Sequence, residues 1–225
     1  MFIDKSMHKK VITITKDMTI LEARELMREN QIRHLPVIEP DNTLVGIITD
    51  RDIRSASPSI VLQEGNDPET EEKFSSIKVK DVMTISPITV SPMHTLQDAL
   101  LLIHKTNVGA FPVVDEKGIL KGIISVRDLL RSFINVMGIG EPGILLCILA
   151  EEKVGQLKKI VDAITEEGIS FGSILVAQHW EEDKRAVFPY ILTNRSGQIK
   201  KKLKNLGFTL LDPMDWYMDR LPKND

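Results

Sequence analysis

Apolar and polar residues recur along this chain in a fixed order, and the order occurs twice. Residues 11–14 (Val-Ile-Thr-Ile) read as a short β run. Thr19 follows as an N-cap, and Leu21, Ala23, Leu26 and Met27 return at the spacing of one helical face. A β run at 35–38, a Pro-Asp-Asn turn at 40–42, a β run at 44–48 and a helix from Asp50 complete the unit. An offset of 76 residues, which lays Met7 on Met83, reproduces all of it without a gap. The second copy has a β run at 88–90, the N-cap Thr95, and a helical face of Leu96, Ala99, Leu100 and Ile103. It continues with a β run at 111–114, a turn at 115–118, a β run at 120–124 and a helix from Val126. Each copy therefore predicts β-α-β-β-α. A fixed-period repeat of this kind predicts two copies of one module packed as a pseudo-symmetric pair.

After Asn135 the pattern changes. The cluster Gly138-Ile139-Gly140-Glu141-Pro142-Gly143 breaks regular structure. A strand at 144–150 follows, then a helix at 154–167 with Leu157, Ile160, Val161 and Ile164 on one face and Gly168 as its stop. Strands at 172–178 and 186–193 flank a turn at 181–184. A last helix at 197–206 turns Ile199, Leu203 and Leu206 inward and Lys200, Lys201, Lys202 and Lys204 outward. Gly207 stops that helix, and a strand at 208–211 closes a βαββαβ order, which is ferredoxin-like. The fold class is thus α/β (α+β), with these boundaries: repeat 1 at 1–62, an acidic linker at 63–76, repeat 2 at 77–137, a hinge at 138–143, the second domain at 144–215 and a tail at 216–225. Residue 74 onward is expected to re-enter the fold.

Composition narrows the function. A net charge of −3 and a pI near 6.0 give no basic field for nucleic acid or an anionic membrane. Trp180, Trp216 and Tyr217 are too dispersed for a base-stacking platform. No apolar stretch is long enough to span a bilayer, and residues 1–5 lack a signal-peptide core, so a cytoplasmic location is expected. Cys147, the one cysteine, lies in an apolar run and reads as a buried thiol. The histidines at 8, 34, 94, 104 and 179 show no metal-ligand spacing, and neither a nucleophile elbow nor a Walker loop occurs. The Gly138–Gly143 segment spells G-x-G-x-x-G but follows a helix and opens a strand, the reverse of a dinucleotide site.

The chemistry concentrates at Thr49-x-x-Asp52 and Ser125-x-x-Asp128, each directly after a Gly-Ile-Ile strand. The pattern suits two roles. One is a helix N-cap, with the acid at the positive end of the helix. The other is ligand binding: a carboxylate accepts from both hydroxyls of a ribose, and a hydroxyl with free N–H groups suits phosphate. Arg51 and Arg127 add matched cations, or ordinary surface ion pairs.

With Leu35-Pro36-Val37-Ile38 and Phe111-Pro112-Val113-Val114 upstream of them, these motifs resemble tandem CBS domains, which form a disc-like Bateman module. The resemblance implies a regulatory ligand, AMP, ADP, ATP or S-adenosylmethionine, in the clefts between repeats. It implies Asp52 and Asp128 on ribose, with Thr49 and Ser125 near ribose or phosphate. Ile12, Thr13, Ile88 and Thr89 would border the adenine. His34 and Ala110 would lie near the same clefts, lined further by Pro36, Pro112, Ile48, Ile124, Arg51 and Arg127. Residues 144–211 resemble an ACT domain, a module that binds amino acids at dimer interfaces. Its effector turn falls on Lys153, Val154 and Gly155, with the glycine of the usual Asp-x-Pro-Gly turn but not the proline; dimerisation alone and amino-acid binding both fit. The CBS–CBS–ACT order is similar to the acetoin-utilisation proteins. The expected protein is a non-catalytic homodimeric sensor with an unidentified protein target; the alternative is an interaction scaffold with unoccupied clefts.

Overall fold

The computed structural model describes residues 1–56, 76–181 and 183–211. Most of the acidic linker, Phe74, Glu182 of the expected turn and the tail at 216–225 lie outside the described residues. The chain divides into two units, Met1–Leu130 and Arg131–Asp225.

In the first unit each copy forms a helix and an antiparallel hairpin. α1 (Ile20–Glu29) and α3 (Leu96–Thr106) start at Thr19 and Thr95 through the same capping box, in which Glu22 or Asp98 accepts from the cap backbone and the cap hydroxyl accepts from the acid's N–H. The hairpins β1 (His34–Ile38) with β2 (Leu44–Thr49), and β4 (Ala110–Val114) with β5 (Leu120–Ser125), share one register. His34 faces Thr49 in the first, Ala110 faces Ser125 in the second, and each has an irregularity before its turn. The turns follow from local chemistry. Asp41 Oδ1 accepts from Thr43 N, Asp115 Oδ1 accepts from Lys117 N and Ile119 N, and Asn42 and Gly118 take positive φ. α2 (Asp50–Ala56) and α4 (Val126–Val136) leave the ends of β2 and β5. The two turns also pair with each other, since Leu44 N donates to Gly118 O and Leu120 N to Asn42 O.

The lead-in segments are exchanged between the copies. Residues 1–8 dock on repeat 2: Ile3 N donates to His94 O, Leu96 N to Met1 O, and His8 forms a bridge with Ile123. Residues 77–85 dock on repeat 1: Ile20 N donates to Ile77 O, Val79 N to Met18 O, and β3 (Thr84–Ile85) pairs with β2. Ile3 and Val79 are fully buried, and Val79 belongs to the repeat 1 core with Ile14, Ile20, Leu35, Val37, Ile48 and Ile53. Gly46 and Gly122 allow the exchange. A Cβ at Gly122 would lie 2.6 Å from Met7 Sδ and 2.9 Å from His8 O; at Gly46 it would lie 2.6 Å from Met83 Sδ and 3.0 Å from Thr84 O.

Several expectations need correction. Residues 11–14 and 88–90 are not strands. Each makes one parallel bridge, Ile14 to Val37 and Val90 to Val113, because only one backbone position of each segment reaches its hairpin. Leu100 is exposed on α3, whereas Leu96 and Ala99 are buried, so the covered stripe of this helix is narrower than its apolar face. In the second unit the strand at 144–150 is broken at Leu146 into β6 (Ile144–Leu145) and β7 (Cys147–Glu151). The next helix, α5 (Gln156–Thr165), begins later than expected, because Gly155 holds a left-handed φ of 91°. Leu157 and Leu206 are exposed rather than buried: Leu157 lies in the first turn of its helix and Leu206 is the C-cap just past the end of the last one.

The second unit has the sheet order β10 (Thr209–Leu211), β7, β9 (Lys184–Ile191), β8 (Phe171–Glu181), all antiparallel, with β6 also on β9. Its core is Ile148, Ile160, Ile164, Val187 and Ile191 of the sheet and α5, with Ile199 and Leu203 of α6 (Gly197–Asn205). Cys147 is buried in β7. Lys202 is not a simple outward lysine: it bridges Glu166 and Glu167, each at 2.9 Å.

Candidate functional site

The two acid motifs fold into the same corner. β2 ends at Thr49, whose N–H donates to Asp52 Oδ2 at 2.8 Å and whose Oγ1 donates to the same oxygen at 2.7 Å; Asp52 N donates back to Thr49 Oγ1 at 3.3 Å. In the second copy Ser125 N and Oγ lie 3.0 and 2.6 Å from Asp128 Oδ2, and Asp128 N lies 3.3 Å from Ser125 Oγ. The capping role is therefore realised at both corners. It engages only one oxygen of each carboxylate, and each oxygen has two lone pairs. Among the described residues no donor lies on Asp52 Oδ1.

Neighbouring elements bring the other expected residues to the corners. The β1–β2 register puts His34 beside Thr49, and the β4–β5 register puts Ala110 beside Ser125. Residues 11–14 run parallel to β1 with Ile14 on Val37, so Ile12 and Thr13 lie toward the His34 end; Ile88 and Thr89 occupy the matching place against β4. Ile48 and Ile124 are buried next to the corners in sequence, and Pro36 and Pro112, also buried, pair with Ile47 and Ile123, two positions before the corner residues. Arg51 and Arg127 are exposed, with no ion-pair partner among the described residues, whereas Arg54 pairs with Asp50 at 2.8 Å.

Electrostatics separates the two corners. Burial pushes the Asp128 carboxyl up, but the Ser125 hydrogen bonds and His8 outweigh it and hold its pKa below the usual carboxylate value. His34 is held below the ordinary imidazole value, first by burial and then by the Arg33 charge, against a smaller pull from Asp52. Its ring reaches across to repeat 2, with Nε2 3.3 Å from where a Gly109 Cβ would stand.

Sequence reasoning passes over one residue at this place. His8 Nε2 lies 2.9 Å from Asp128 Oδ1. The signal was present: the offset of 76 residues sets His8 against Thr84, so the two copies differ in side-chain chemistry where their lead-ins meet the strands. In the second unit, Val154 of the expected effector turn is fully exposed, and Lys153 pairs with Glu151 at 2.8 Å.

A family model for the CBS domain matches residues 3–59 and again 79–135. A CBS domain-containing protein of Dictyostelium discoideum is 40% identical over 131 residues, covering 58% of this chain and 90% of that protein. The inosine-5′-monophosphate dehydrogenase of Korarchaeum cryptofilum is 37% identical over 121 residues, which are 54% of this chain but 22% of the enzyme. Among solved structures, CBSX2 in complex with AMP is 27% identical with a TM-score of 0.51, covering 59% of this chain and 96% of that one. The CBS domain pair of protein MJ0100, in complex with 5′-methylthioadenosine and S-adenosyl-L-methionine, is 26% identical with a TM-score of 0.50, covering 59% and 95%. The crystal structure of a putative acetoin utilization protein (AcuB) from Vibrio cholerae shares the fold at 24% identity and a TM-score of 0.51, covering 62% of this chain and 96% of that one. The two matched stretches span half of the chain and take in both acid corners and most of each exchanged lead-in, and on that ground the chain belongs to the CBS domain family.

Proposed function

We propose that this protein is a non-catalytic regulator whose tandem repeats sense an adenosine nucleotide. The observation that carries this reading is the doubled corner, with an acid held by its own cap on one oxygen beside an exposed arginine. Ribose hydroxyls would donate to the carboxylates of Asp52 and Asp128. Phosphate would meet Thr49 or Ser125 and the Arg51 or Arg127 guanidinium. The adenosine ligands named for CBSX2 and the MJ0100 pair support the ligand class. The relation to the dehydrogenase covers about a fifth of that enzyme and supports no transfer of its chemistry. Regulation would work by linkage: a ligand that prefers one arrangement of the two copies biases that arrangement and whatever protein target reads it.

The second unit is read as ACT-like, on the strength of its antiparallel order β10-β7-β9-β8 with α5 and α6. It would dimerise the chain or hold an amino acid at the Lys153–Gly155 turn. Its strand β8 pairs only with β9 among the described residues and exposes Leu175, Val176 and Trp180, which supports the dimer. A cytoplasmic role in acetoin utilisation rests on the resemblance of domain order. The scaffold reading keeps one observation in its favour, since both acids already serve as caps.

Thermal unfolding against AMP, ADP, ATP and S-adenosylmethionine separates the readings. A ligand at a hundred times its Kd stabilises by about 2.7 kcal/mol and raises the midpoint. The expected result is a shift with one of these ligands that shrinks in Asp52→Ala or Asp128→Ala, each measured against its own ligand-free midpoint. No shift with any of the four overturns the sensor and leaves the scaffold.

A further inference from the structure

The two corners share their backbone plan but not what stands on their acids. At the second corner Asp128 Oδ2 is engaged by Ser125, and Oδ1 lies 2.9 Å from His8 Nε2. At the first corner Asp52 Oδ2 is engaged by Thr49 in the same way. There the lead-in residue equivalent to His8 is Thr84, paired with Ile47 as His8 is with Ile123. A threonine hydroxyl sits on Cβ and lacks the reach of an imidazole. Asp52 Oδ1 accordingly has no donor among the described residues, and His34 nearby feels the Asp52 charge without a hydrogen bond to it.

We infer that His8 is a specificity-determining residue that competes with the ribose diol for Asp128, so that the two clefts are unequal and the Asp52 cleft takes adenosine more tightly. This rests on the nucleotide reading above. A ribose hydroxyl and the imidazole N–H are both donors, and both seek the same carboxylate oxygen. His8 is three-fifths exposed on its side chain, while Asp128 is almost wholly buried. The histidine can therefore swing into solvent, whereas the acid stays in place. The contact has the strength of a partly exposed pair, so its removal strengthens adenosine binding at this cleft by about two- to fivefold.

The test uses adenosine itself, which carries no phosphate for a released imidazole to hold. Calorimetric titration of Asp52→Ala protein isolates the Asp128 cleft, and titration of Asp128→Ala protein isolates the other. Adding His8→Thr, which installs the residue of the first corner, should tighten the Asp128 cleft two- to fivefold and leave the Asp52 cleft unchanged. His8→Gln, which keeps a side-chain donor, should stay closer to the wild-type affinity. An unchanged or weaker Asp128 cleft in His8→Thr, while the Asp52 cleft still binds, overturns this inference alone. Absence of binding of adenosine and of AMP, ADP, ATP and S-adenosylmethionine from every variant and from the wild type overturns the nucleotide reading with it.

Discussion

The two repeats of the first unit agree where backbone must be built and differ where a ligand would be met. Both open their first helix with the same capping box, both hairpins keep one register, and both close on a capped acid. Around the clefts the agreement ends: His34 stands where the other copy has Ala110, Arg33 where it has Gly109, and His8 where it has Thr84. Cap, turn and register each have few solutions in side-chain chemistry. Cleft walls tolerate many side chains, because their backbone is already fixed.

The largest way to break this comparison is through the exchanged lead-ins. Ile3 is fully buried against repeat 2 although it precedes repeat 1. Ile3→Ala should cost about 2–5 kcal/mol in denaturant unfolding. Its loss of amide protection should fall on Leu96 and Ile123 before Ile20 and Val79. Protection lost first at Ile20 and Val79 would refute the exchange.

A smaller effect tests whether the corners are equal as structure. Thr49→Ala and Ser125→Ala each remove a cap hydroxyl, and each should destabilise by about 0.5–2 kcal/mol. Similar costs at the two sites would locate the inequality in ligand contacts alone. A cost confined to one site would place part of it in the fold.

The smallest effect is a pH slope carried by one copy. The folded state holds His34 neutral more firmly than the unfolded chain, whose imidazole titrates near 6.5. Its contribution is thus fully present above about pH 6.5 and is lost as pH falls through the lower folded value. His34→Ala, which copies position 110, should flatten the stability slope between pH 5 and 7. An unchanged slope would show that His34 does not carry it.

Much of this was legible in the chain. The offset of 76 residues exposed the doubled module, and Thr19, Thr95, Asp41 and Asp115 marked caps and turns because those residues bond their own neighbouring backbone. Residues 11–14 misled, since β-branched content signals an extended chain but not how many partners the chain will find. Leu100 and Leu206 misled because periodicity gives a face and not the width of what covers it.

By itself, then, the sequence determined the local elements, their order, the repeat and the two acid corners, because these depend on residues a few places apart. Only the tertiary structure decided which copy each lead-in completes. Residues 1–8 and 77–84 are related by the same offset whether each serves its own copy or the other, so no local pattern distinguishes the two arrangements. That choice rests on long-range packing, in Ile3, Val79 and the close approach over Gly46 and Gly122, and it is what carries His8 across 120 positions of chain to Asp128.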